Sequence, residues 1–145
     1  MPISETERKR LARLFRQAVY ELLPGELQPS RYPLKIGDRH PELDAFLRAG
    51  ESWIFITAYH PMGQPQNTTI NQAAQRQLLE QLQERAKKVW RGRGYSSDPQ
   101  QPWEEPTLLT LPFHRREALD LARQFQQLAI LYGEKQQVAT LLFTD

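Results

Sequence analysis

The run "SWIFITAY", Ser52 to Tyr59, constrains the fold more than any other stretch of the chain. It is apolar or β-branched at nearly every position and is bounded by Gly50 and Pro61. A strand with one face in water would alternate polar and apolar residues. A near-continuous run instead predicts a central strand covered on both faces. Such a strand needs neighbouring strands and at least one layer of helices.

The rest of the chain supplies both. Ser4 and Glu7 have the spacing of a capping box. Leu11, Leu14, Phe15, Ala18, Val19 and Leu22 then recur every three or four residues, predicting a first helix that ends at Pro24–Gly25, within residues 1–24. "YPLKI" (Tyr32–Ile36) reads as a short strand, and Pro41 suits the first turn of a short helix. Thr68 or Thr69 can cap a long helix reaching Val89, with Ile70, Ala74, Leu78, Leu82 and Ala86 on its inner face. "RGRGYSSDPQQPWEEP" reads as an irregular loop, "TLLTL" (Thr107–Leu111) as a strand, and the segment after Pro112 as an amphipathic helix. "LAILYG" and "QVATLLF" form a C-terminal β-hairpin around Gly133–Gln136. The order is α-β-α-β-α-β-α-β-β. Alternation of this kind predicts an α/β domain (α+β being the other possibility). Its mixed, partly parallel sheet would have four to five strands with helices packed on it.

At 145 residues the chain is the size of a single domain. It contains no cysteine, which excludes disulfides, thiolate catalysis and cysteine-held metal clusters. No run approaches the roughly 18 apolar residues of a transmembrane helix. The charged N-terminal residues do not read as a secretory signal, so a soluble cytoplasmic protein without membrane contact is expected. The net charge of +2 is small for a nucleic-acid binder. Basic runs do occur at Arg8–Arg10, at Lys87, Lys88, Arg91 and Arg93, and at His114–Arg116. Each reads first as a solvated helix end or face.

Known chemical motifs are missing: there is no P-loop, dinucleotide fingerprint, zinc-protease helix or nucleophile elbow. His40, His60 and His114 are widely spaced, so neither a metal nor a cofactor is expected. His60 stands at the end of the central strand, where a parallel sheet would bind ligands, before the loop Pro-Met-Gly-Gln-Pro. It reads either as a strand-end cap or as a functional imidazole. Gly92 and Gly94 around Arg93 could form an anion nest, with Arg91 and Arg93 as guanidinium forks. Trp103 stands beside Glu104 and Glu105. Gln127, where a helix passes into a strand, could clamp a loop or reach a ligand.

"FITAYHP", "INQAAQRQLLEQL", "RGRGYSSDPQQPWEEPTLL" and "EALDLARQFQQLAILYG", in this order, resemble the bacterial family called domain of unknown function 3293. The resemblance spans about Tyr32 to Leu142 and leaves the first helix largely outside. The family's motif falls on Thr57, Ala58, Pro61, Asn71, Gly94, Trp103, Glu105, Gln127 and Ala129. The family usually reads Asn-Pro where this chain has His60–Pro61, and Gln-Asn where it has Gln127–Leu128. The resemblance implies a fold and carries no activity. It adds Asn71 to the polar positions. The expectation is a binding or regulatory domain with a ligand site of His60, Asn71, Arg93, Trp103, Glu105 and Gln127. Its partner would be a protein segment or a small polar ligand. The alternatives are a small hydrolase or nuclease-like enzyme using His60 with Glu104 or Glu105, and a nucleic-acid binder through the basic runs.

Overall fold

In a computed structural model, which describes residues 3–60 and 64–145, the apolar run opens as a strand buried at every position, β3 (Ser52–Ile56). Pro61 and the start of the proline loop lie outside the described residues. The chain runs α1 (Glu5–Gln17), β1 (Val19–Leu22), β2 (Tyr32–Leu34) and α2 (Pro41–Asp44) before β3. It continues through α3 (Thr68–Glu84), β4 (Lys88–Tyr95), β5 (Glu104–Phe113), α4 (Arg115–Gln124), β6 (Ala129–Glu134) and β7 (Thr140–Phe143).

The seven strands form one sheet in the order β2-β1-β4-β5-β3-β6-β7. Every neighbouring pair is antiparallel. This overturns the mixed sheet of four to five strands. Alternating strands and helices do connect strands of like direction here, but each helix skips a place. α3 leads from β3 to β4 with β5 between them, and α4 leads from β5 to β6 with β3 between them. The unit β3-α3-β4-β5-α4-β6 is a split βαβ arrangement, whose neighbours are antiparallel despite the crossovers.

Two strands were hidden by the sequence pattern. α1 begins with half of the capping box, the Ser4 hydroxyl accepting the Glu7 N–H at 3.1 Å while the Glu7 carboxylate pairs with Arg10, and it ends at Gln17. Val19 to Leu22 belongs to β1 instead, where Tyr20 and Leu22 share one face. The long helix is capped by Asn67, whose side chain accepts the Thr69 N–H at 2.7 Å, and it stops at Glu84. "KVWRGRGY" is then a strand of eight residues, not a loop. Its glycines are required by packing. A Cβ at Gly92 would stand 2.5 Å from the Glu21 carbonyl oxygen and 2.8 Å from the Phe55 ring. A Cβ at Gly94 would stand 3.2 Å from the Tyr20 ring.

The sheet has two buried faces. Ile54, Ile56, Leu108, Ile130 and Leu142 pack under α3 and α4 through Leu78, Leu82, Leu121 and Phe125. On the other face, Leu22 and Leu34 of the first two strands share one cluster with Trp53, Phe55, Leu109 and Leu131. Residues from one margin of the sheet meet residues near the other only because the sheet curls around them. α2 plugs this inner face with Leu43 and nearby Leu47. At one end the two margins join: the Gly37 N–H donates to Ala139 O, and the Ala139 N–H donates to Asp38 O, each at 2.8 Å. Near the opposite end α1 closes the curl. Its Arg8 guanidinium lies over the Phe143 ring and pairs with Asp145 at 2.6 Å.

Candidate functional site

The ends of β3, β4, β5 and β6 that carry the sequence-derived candidates all lie at the end of the sheet where α1 crosses. Antiparallel order places them there: β3 and β4 finish at this end, and β5 and β6 start from it.

Side-chain amides hold the exit of β3. Gln75 of α3 accepts the Ala58 N–H at 2.7 Å and donates to Pro106 O at 3.2 Å. The Thr57 hydroxyl also donates to Pro106 O, at 2.9 Å. Asn71, only 1% exposed, accepts the His60 N–H at 3.0 Å and the Gln66 side-chain N–H at 2.9 Å, and donates to Gln66 O at 3.2 Å. Gln127 donates to Tyr59 O and Phe125 O, each at 3.2 Å. These bonds fix the loop backbone, and Gln75 had no sequence signal beyond its helical face.

His60 has φ +50°, in the left-handed region that asparagine and histidine enter more readily than most residues. Its backbone N–H is held by Asn71, while its Nδ1 accepts the Gln66 N–H at 3.2 Å. The backbone conformation is therefore one that either histidine or asparagine can adopt at this position. No carboxylate is among the hydrogen-bond or ion-pair partners of His60 within the described residues. His40 lies near Tyr32 and Trp53, and His114 precedes α4, so the three histidines do not converge.

Glu104 and Glu105 point to opposite faces of β5. On the helix-bearing face, Arg93 donates to Glu104 at 2.9 Å and to the buried Glu21 at 3.0 Å, and it lies over the Tyr95 ring. Arg91 is taken by Glu26 at 3.2 and 3.3 Å. Neither arginine is poised for a phosphate, and Arg93 does not join Trp103 and Glu105. Part of each of the first two basic runs is likewise engaged: Lys87 pairs with Glu117 at 2.9 Å, Arg10 with Glu7, and Arg8 with Asp145. The paired carboxylates offset the field that a nucleic acid would need.

Glu105 faces inward, beside Gly94 in register and near Tyr20. It is half-buried, and its carboxylate has no hydrogen bond or ion pair among the described residues. Burial pushes its pKa from 4.5 up to about 7. The Tyr20 phenol is raised as well, by burial first and then by the Glu105 charge. Above these groups, α1 and the β4–β5 loop enclose a cavity of about 400 Å³ lined by Leu11, Phe15, Tyr20, Gln64, Asp98 and Trp103, among others. Trp103 is 45% exposed, and its ring lies over Gly94. A wider and more open groove of about 740 Å³ runs between α3 and the helix-bearing face of β4, past Leu79, Val89 and Leu108. The mouth is the better candidate because it gathers the aromatic surface of Phe15, Tyr20 and Trp103. Phe15 and Tyr20 escaped sequence reasoning because both fitted, or bordered, the helical stripe. The position of Glu105 was readable by stepping back in twos from Leu111, Leu109 and Thr107.

The chain belongs to the family described as protein of unknown function (DUF3293), whose model matches residues 56–130. That span is narrower than Tyr32 to Leu142. It runs from the end of β3 into β6 and takes in the amide-held strand exit, Trp103 and Glu105. No curated protein and no solved structure matches the chain. Among the described residues no helix is long and apolar enough to cross a membrane.

Proposed function

We propose that this DUF3293 family member is a ligand-binding domain whose site is the mouth of the curled sheet, beneath α1. The observation that carries this reading is the half-exposed Trp103 set in a cavity wall with Phe15 and Tyr20. A volume of about 400 Å³ suits a small molecule better than a protein segment. In this reading Trp103 and Tyr20 meet the ligand, and Glu105 stands next to Tyr20 outside the cavity lining. His60, Asn71 and Gln127 act at one remove, by holding the strand exit next to the loop that carries Gln64.

The test is thermal stabilisation across a panel of metabolites, metal ions and nucleotides. A ligand at a hundred times its Kd stabilises by about 2.7 kcal/mol. The shift is expected to vanish in Trp103→Ala and to persist in His60→Asn. A stabilising ligand whose effect survives Trp103→Ala binds elsewhere and overturns the reading.

A further inference from the structure

We propose that the protein carries a second site, between α1 and the margin of the sheet at β2, that takes an aliphatic carboxylate. The inference goes beyond the mouth as a ligand site and does not depend on it.

A cavity of about 390 Å³ lies where the last turn of α1 passes β1 and β2. Phe15, Val19, Leu34 and Ile36 give it apolar walls, and its charged lining residues are Arg16 and Lys35. No carboxylate lines it. Neither Arg16 nor Lys35 has an ion pair or a side-chain hydrogen bond among the described residues. Arg8, Arg10 and Arg93 differ in this respect, since an acid holds each of them.

Arg16 by itself has a local explanation, because a cation in the last turn of a helix meets the helix dipole. Lys35 follows β2 and has no such explanation. Two cations from separate elements thus meet at one apolar cavity, which suits an anion with a hydrocarbon body. Arg16 also lines a groove along α1 with Lys9 and Arg13, again without an acid. The lining of both hollows is positive, and such a field draws anions in.

The same residues select among anions. Arg16 presents a planar fork that matches a carboxylate, and Lys35 adds a point charge. The carbonyl end of α1 disfavours the second charge of a phosphate monoester. A peptide strand added to β2 is a poor occupant of this margin. Pro33 has no N–H, and the Lys35 N–H is taken by His40 Nε2 at 3.3 Å. The volume is that of a small-molecule site.

The experiment is an NMR titration of the isotope-labelled whole chain with hexanoate, octanoate, hexan-1-ol and hexyl phosphate at low salt. Hexanoate is expected to shift the amide signals of Val19, Lys35 and Ile36. It should bind about fivefold more tightly than hexan-1-ol. Octanoate should gain about fivefold over hexanoate through its two further methylenes. Arg16→Gln and Lys35→Gln should each reduce the preference for hexanoate over the alcohol, and the double variant should remove it. Added salt should shrink it too, because both cations are exposed. Trp103→Ala should leave these shifts in place. Equal binding of hexanoate and hexan-1-ol, or a preference that survives the double variant, overturns the inference. Shifts confined to Ser96, Ser97 and Trp103 put the carboxylate in the mouth and overturn it as well. Hexyl phosphate binding more tightly than hexanoate overturns the choice of carboxylate.

Discussion

Gly92 and Phe55 touch across the inner face of the sheet, with β5 between their strands. The Phe55 ring fills the space where any other residue at position 92 would carry its Cβ, 2.8 Å away. The Glu21 carbonyl oxygen, 2.5 Å from the same point, belongs to the backbone of β1 and cannot swing aside. Gly92→Ala is therefore expected to cost about 2–3 kcal/mol, read as a lower urea midpoint. Gly94→Ala should cost less, because its nearest neighbour is the Tyr20 ring at 3.2 Å. Equal costs at the two positions would contradict this packing.

Asn71 and His60 make a second pair with unequal roles. Asn71→Ala leaves the His60 N–H and the Gln66 side chain without their acceptor in a buried place. A loss of about 1–3 kcal/mol is expected. His60→Asn keeps both the bond and a residue type that accepts positive φ, so its cost should stay within about 0.5 kcal/mol. Chemical denaturation of the two variants side by side separates the roles. A large cost for His60→Asn would mean that the imidazole itself, not the backbone, matters there.

Glu105 links stability to pH. Its pKa is 4.5 in an ordinary setting and about 7 in the folded chain. Between those values the folded chain binds more proton than the unfolded one, so stability falls as pH rises through the window. The loss is complete above pH 7 and amounts to about 2 kcal/mol once partial exposure is allowed for. Glu105→Gln should remove it, becoming more stable than the native chain at pH 8 but not at pH 4.5. A stability gap between the two proteins that does not change with pH would show a solvated carboxylate.

Arg93 compensates a buried acid. Glu21 is 4% exposed, and its other basic partner, Arg31, stands 3.7 Å away in a largely exposed position. Arg93→Ala should cost about 2–3 kcal/mol, and adding Glu21→Gln should recover part of it. A double variant no more stable than Arg93→Ala would rule out charge burial as the cause.

These residues also mark what was legible in the sequence. The buried character of β3 needed only local composition, and the cap at Ser4 only local spacing. β1 was hidden because Val19 and Leu22 extend the helical stripe, and because four residues are too few for the Tyr20–Glu21–Leu22 alternation to outweigh it. The burial of Glu21 depends on Arg93 from another strand. β4 was hidden because Gly92 and Gly94 look like loop residues until Phe55 and Tyr20 are in place. Antiparallel order was beyond the pattern altogether, since skipping crossovers and adjacent ones produce the same alternation. At the site, Trp103, Glu105 and the amides could be singled out one by one. What they face could not, because Phe15 and Tyr20 arrive from a segment read as continuous helix.

The backbone bonds joining Gly37 and Asp38 to Ala139 bear on how the molecule behaves in a crowd. A seven-stranded open sheet would end in two rows of unused N–H and C=O groups, each a template on which another chain could add a strand. Here part of each margin finds its partner in the other, and Arg8 of α1 lies against the last strand near the far end. The curl that shapes the mouth thus also limits self-association. A variant that opened that seam would be expected to aggregate before it lost its fold.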